Sequence, residues 1–277
     1  MRLVPGRRRM SKFDLKSFAP KKAAEVGQPR SILLYGPPKR GKSTCAASIV
    51  DVPGYERVLV VDVEGGAAAI SQWYPEVDIQ EIHSAEEFDS FIEYLVDGKI
   101  LEPTSGKPYQ CVIIDTLDKA QERKLEWFDG QPEALTKGGE KNTLYKWGAI
   151  KTWTTKLADA LHMAPFLTIF VAHVMDAQDE KTGKYKQTVA LGGSSKDTFP
   201  ATPDLVGFFD IAKVKNDKGE TENVRTLDFS TNDKRVTGQR YADKLNGVVG
   251  DPTMEKIYQK IVPDLFKKPA KVTATKK

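Results

Sequence analysis

Residues Ile32-Leu33-Leu34-Tyr35-Gly36-Pro37-Pro38-Lys39-Arg40-Gly41-Lys42-Ser43-Thr44-Cys45-Ala46-Ala47-Ser48-Ile49-Val50 decide how this chain is read. An apolar run, a glycine-bounded loop and a helix-forming run follow one another, and the loop has the spacing G-x-x-x-x-G-K-[ST]. Such a loop turns its backbone N–H groups inward around a phosphate, and the helix behind it adds partial positive charge. The pattern therefore predicts a nucleoside triphosphate site built from Gly36, Pro37, Pro38, Lys39, Arg40, Gly41, Lys42, Ser43 and Thr44. Lys42 is expected to reach the β- and γ-phosphates, and the Ser43 hydroxyl to ligate Mg²⁺. ATP and Mg²⁺ are the cofactors this implies.

Outward from the loop, Arg57–Asp62 and Tyr109–Asp115 are further apolar runs, of the kind buried on both faces of a parallel sheet. Phe166–His173 is another central strand, and Val77–Ile82 a short one. Ser84-Ala85-Glu86-Glu87 forms a capping box ahead of Phe88, Phe91, Ile92 and Leu95 at helical spacing. Helices are expected at about 117–128 and 143–162, with Gly130–Asn142 a mobile loop between them. Strands alternating with helices predict an α/β fold with a doubly wound, mostly parallel sheet. Leu191–Pro203 reads as a loop, and Asn216-Asp217-Lys218-Gly219 between Asp210–Lys215 and Val224–Phe229 reads as a C-terminal antiparallel hairpin.

Asp115 ends an apolar strand downstream of the loop and is expected to hold Mg²⁺ opposite Ser43. Asp118, past that strand end, reads as a cap for the next helix. Glu64 follows the second strand in Val61-Asp62-Val63-Glu64-Gly65-Gly66, at the carboxyl end where ligands bind in open α/β sheets. A carboxylate there suits activation of a water near the γ-phosphate. Asp62 is an alternative for that role, and capping of a helix near Ala67 an alternative use of Glu64. His173, at the end of the strand after Asp115, is placed to sense the γ-phosphate. The catalytic candidates are thus Glu64, Lys42 and His173; no Cys/His spacing suggests zinc.

The 277 residues fit one large domain: a basic arm at 1–30, a core at 31–266 and a basic tail at 267–277. Residues 1–30 hold nine Lys/Arg against two acids and 267–277 five lysines and no acid, so the net +4 leaves 31–266 at −8. The basic ends therefore suit non-specific nucleic-acid contact, as do Lys181, Lys184, Lys186 and Lys196 after His173, with Tyr185 and Phe199 the few aromatics nearby. No apolar run approaches the ~20 residues needed to cross a bilayer. Met1–Met10 is basic without an apolar stretch after it, which argues against a secretory signal and makes Met10 a second candidate start. Two cysteines, Cys45 and Cys111, both expected to be buried and unpaired, fit a reducing cytoplasm.

Together these features resemble the RecA-like ATPases, and their wording is similar to phage-encoded RecA-like proteins of the Sak-four type, which assist single-strand annealing and recombination. The matching pieces are Leu34–Pro38, Asp62–Gly66, Val112–Thr116, Val171–His173 and the hairpin at Asp210–Asp228, spanning about residues 31–245. The resemblance implies an ATPase that binds single-stranded DNA, assembles as a homo-oligomeric ring or filament and works beside a single-strand DNA-binding protein. It also implies ATP at a subunit interface, with Lys213, Lys215 or Arg240 reaching in from a neighbour. Lys39 and Arg40 depart from the small residues usual in such loops. The competing reading is a non-hydrolysing, nucleotide-gated module or helicase loader in phage DNA replication, which needs the loop but not Glu64.

Overall fold

The computed structural model describes residues 27–136, 138–178, 183–215, 220–241, 244–245 and 247–267. The expected arm up to residue 26, the tail from 268, Lys181 and the turn at 216–219 lie outside the described residues.

The phosphate loop joins β1 (Ser31–Gly36) to α1 (Lys42–Ala47). After it come β2 (Val58–Asp62), α2 (Ala68–Ser71), β3 (Asp78–Glu81), α3 (Ala85–Val96), β4 (Cys111–Asp115), α4 (Leu117–Asp129) and α5 (Thr143–His162). The second half holds β5 (Leu167–Gln178), β6 (Tyr185–Val189), α6 (Ser195–Thr198), β7 (Leu205–Lys215), β8 (Thr221–Asp228), β9 (Gly238–Gln239), β10 (Val248–Gly250) and α7 (Met254–Ile261). The main sheet runs β10-β8-β7-β1-β5-β4-β2-β3, parallel from β7 through β3. This is a RecA-like P-loop NTPase fold, as the alternation of strands and helices requires.

The central strands β1, β2 and β4 are buried along their whole length because helices cover both faces. On one face α3 buries Phe88, Ile92 and Leu95 beside Leu157, Ala158 and Leu161 of α5. On the other, α1 and α7 pack Cys45, Ala46, Ile257 and Tyr258 against Ile32, Leu34, Val60 and Ile113. Cys45 and Cys111 are buried and unpaired. Ser84 caps α3 through Glu87 N, while the Glu87 carboxylate accepts from His83 N, one residue before the cap.

Several expected boundaries move. The Gly130–Asn142 loop contains, among its described residues, a 3₁₀ turn at Pro132–Ala134 and a Leu135–Lys141 bridge. Leu191–Pro203 is likewise partly helical, through α6 and a 3₁₀ turn at Phe199–Ala201, with Leu191, Ser195 and Phe199 buried. β5 does not stop at His173. Its parallel pairing with β1 ends at Gly36–His173, and Val174–Gln178 then pairs antiparallel with β6. β7 likewise starts at Leu205, parallel to β1, before its distal half pairs with β8. No helix among the described residues is long and apolar enough to cross a membrane.

Gly36 shows how tightly β7 closes on the loop. A Cβ at Gly36 would lie 2.3 Å from the Phe209 backbone oxygen, a contact that only main-chain movement relieves. Gly36→Ala is expected to destabilise the fold by about 1–3 kcal/mol. Urea unfolding checks this, and an unchanged midpoint contradicts the geometry.

Candidate functional site

The parallel register brings Gly36, His173, Asp115 and Asp62 to one edge of the sheet, since Gly36 pairs with His173 and Asp62 with Asp115. Strand ends leave backbone groups without ladder partners, and buried ones must find others. Two carboxylates do this work. Asp62 accepts from Glu64 N (3.1 Å), Gly65 N (2.7 Å), Gly66 N (3.2 Å) and Ala67 N (2.9 Å). It thereby shapes the loop after β2 and caps the entry to α2, which rules it out as the free carboxylate. The Asp115 carbonyl pins the same loop through Val63 N (2.7 Å).

With Asp62 engaged in that way, the Glu64 side chain is left half-exposed, its Oε1 3.9 Å from His173 Nε2. Asp118, expected as a helix cap, does something else. Its Oδ1 accepts from His173 N (2.9 Å) and its Oδ2 lies 2.8 Å from His173 Nδ1. The N-cap of α4 is Thr116, without a side-chain cap bond. The reason is topological: β4 ends at Asp115, so the His173 N–H, two residues past the last β4–β5 pair, needs an acceptor from the first turn of α4. The hydrogen bond to Asp118, outweighing burial, raises the His173 pKa above the usual histidine value. Nδ1 is thus fixed on Asp118 and Nε2 turned toward Glu64. This Glu64–His173–Asp118 row was only partly visible in sequence, because nothing there distinguishes Asp118 from an ordinary first-turn acid.

Under the loop, Lys42 is 5 % and Asp115 4 % exposed. Lys42 Nζ donates to Gly36 O (3.0 Å) and Pro37 O (2.8 Å). Its pKa is lowered by desolvation, against the pull of Asp115, Asp118 and Glu64. The Asp115 carboxyl is pushed up to about 6 by burial, although a hydrogen bond with Ser43 opposes this. Its Oδ1 is buried with no hydrogen-bond partner. A buried carboxylate with an orphaned oxygen, next to a serine hydroxyl, is a donor set that fits a hard divalent cation such as Mg²⁺. Ser43 and Asp115 are the residues that would hold it. Such an ion would neutralise charge on the phosphates.

In the loop itself, Lys39 has φ 59° and Gly41 φ 94°, so Lys39 occupies a left-handed position that suits glycine. Of the expected trans residues, Lys213 and Lys215 are exposed on β7. Arg240 is engaged within the chain. Its Nη1 pairs with Asp204 at 2.7 Å, and Asp204 also accepts from Arg30 N at the amino end of β1, opposite the phosphate loop.

The fold and this edge define a P-loop nucleotide-binding domain of the ATPase class. A family model described as an AAA domain matches residues 28–241, and the chain belongs to that family. No curated protein matches the chain.

Two measurements follow. Asp118→Asn should lower the His173 pKa, read by NMR of the ring protons; an unchanged value contradicts the pairing. Because the folded pKa is raised, this pair contributes stability in full below about 6.5, and the contribution is lost as pH rises through the folded value; the variant should flatten that slope. Asp115→Asn should raise metal-free stability at pH 7, by up to about 3 kcal/mol, since a carboxyl with a raised pKa opposes folding once ionised. Thermal melts in EDTA check this, and a lower Tm contradicts it.

Proposed function

We propose that the chain is an ATP-hydrolysing DNA recombination protein that binds single-stranded DNA and assists annealing or strand pairing, of the phage-encoded Sak-four type. The observation that carries the hydrolytic part is the row Glu64–His173–Asp118 beside the phosphate loop. Glu64 is the general base, Lys42 the phosphate-binding cation, and Ser43 with Asp115 the Mg²⁺ ligands. A histidine held at Nδ1 by a carboxylate has Nε2 available for the terminal phosphate, and that is the sensor role assigned to His173.

Connectivity supports the coupling to DNA. β5 continues from His173 into the β5–β6 hairpin, and the His173 carbonyl accepts from Ala190 N, one residue past the end of β6 (2.9 Å). A change at His173 therefore acts directly on a hairpin that carries Lys186 and an exposed Tyr185. Lys184 and Lys196 flank it, and these groups suit phosphate contact and base stacking. Assembly as a ring or filament would put Lys213 and Lys215 in reach of a neighbour's nucleotide, and a single-strand DNA-binding protein is the expected companion.

Phosphate release with and without single-stranded DNA tests the reading, alongside anisotropy of labelled oligonucleotides. Glu64→Gln should cut phosphate release by about 10²–10⁴-fold while ATP still binds, and Lys42→Ala should abolish nucleotide binding. Equal, weak oligonucleotide binding with and without ATP contradicts the DNA role. Unchanged turnover in Glu64→Gln favours the nucleotide-gated module instead.

A further inference from the structure

Seven arginines fall among the described residues, and their partners divide them sharply. Arg30 donates to the Met163 sulfur, Arg57 to Pro108 O and Arg123 to Ile82 O, while Arg235 pairs with Asp210 and Arg240 with Asp204. The two side chains with no such partner among the described residues, Arg40 and Arg225, both lie at the phosphate loop. Arg40 is in the loop, and its Nε is buried without a hydrogen-bond partner. Arg225 comes from β8, far away in sequence. Its Cδ and Nε lie 3.5 Å, and its Cζ 3.6 Å, from where a Cβ on Gly41 would sit. The arginine thus lies along the loop one residue before Lys42, on the strand face of Leu227, which packs in the core beneath α1. Burying part of the Arg40 guanidinium without a partner is costly, and the exposed Arg225 sets a second unpaired cation beside the same loop, so the two together call for an anion.

The strand order says which part of the anion they meet. Glu64, Asp115 and His173 come from β2, β4 and β5, all on one side of β1, whereas β7 and β8 lie on the other. The reacting terminal phosphate belongs beside Glu64 and His173. Arg225 therefore flanks the opposite end of the bound nucleotide, where ATP and ADP are alike. We infer that Arg225, together with Arg40, is a positioning clamp supplied in cis for the α-phosphate and sugar end of the nucleotide. The inference rests on the nucleotide-site reading above and adds the residues that set affinity rather than rate. A contact equal in ground and transition states changes KM and leaves kcat.

Calorimetric titration of Mg-ATP and Mg-ADP into the full chain and into Arg225→Gln tests this, with steady-state phosphate release measured in parallel. The exposed position of Arg225 makes the fold tolerant of the change, and a melting curve verifies it. The expected result is a loss of about tenfold in affinity, by the same factor for ATP and ADP, with kcat at saturating ATP unchanged and part of the affinity regained in Arg225→Lys. Unchanged affinities, or a loss confined to ATP, overturn the assignment. A loss that appears only at concentrations where the chain self-associates also overturns it, since it assigns Arg225 to a neighbour's nucleotide. If the wild-type chain itself gives no heat with either nucleotide, the nucleotide site falls first and the clamp with it. A Glu64→Gln variant that binds but does not hydrolyse leaves the clamp standing.

Discussion

Lys42 and Asp115 are opposite charges held in the same poorly hydrated place, and neither is fully satisfied there. Lys42 makes do with two loop carbonyls, and Asp115 keeps one oxygen without a partner. Removing both from water costs several kcal/mol per ion unless each meets a good counter-charge. That cost, built into the end of β1 and β4, is the constraint around which the rest of the edge is organised. A phosphate chain with a divalent cation answers both demands together: anionic oxygens for the lysine, a cation for the carboxylate.

The surrounding acids divide the remaining work. Asp62 takes the four N–H groups of the turn after β2, which leaves the Glu64 side chain unengaged by its own loop. Asp118 takes the N–H and one ring nitrogen of His173, so the other nitrogen points one way only. Three carboxylates within a few residues of strand ends therefore have three different tasks, decided by which orphaned backbone groups lie nearest. The same economy explains β5: a strand that leaves the parallel sheet at His173 and continues as a hairpin ties the site to the surface above it.

The phosphate loop, the strands flanking it and the positions of Asp115, Glu64 and His173 were legible in sequence, because continuous apolar runs ending in a polar residue have few other uses. Asp118 was not, since its partner lies 55 residues on and the need for it arises only when β4 ends short of β5. β7 begins at Leu205, five residues before the start at Asp210 that its sequence suggests. Leu205-Val206-Gly207 follows a Ser/Thr/Pro-rich stretch and contains a glycine that looks like a turn. Gly207 is there for close packing, as a Cβ would come within 2.6 Å of a Leu227 methyl and 2.8 Å of the Phe229 ring. Arg225 had no sequence signal at all, because its place beside Gly41 comes from β8 pairing antiparallel with β7, which itself lies parallel beside β1.

Differential scanning of the intact chain with ATP plus Mg²⁺, and with ATP plus EDTA, tests most directly the idea that two stranded charges await one ligand. A ligand at a hundred times its Kd stabilises by about 2.7 kcal/mol, which for a domain of this size is roughly 5–10 °C in Tm. Tm should rise by that order with ATP and Mg²⁺ together and clearly less when the metal is chelated. Identical melting with and without the magnesium nucleotide would contradict it.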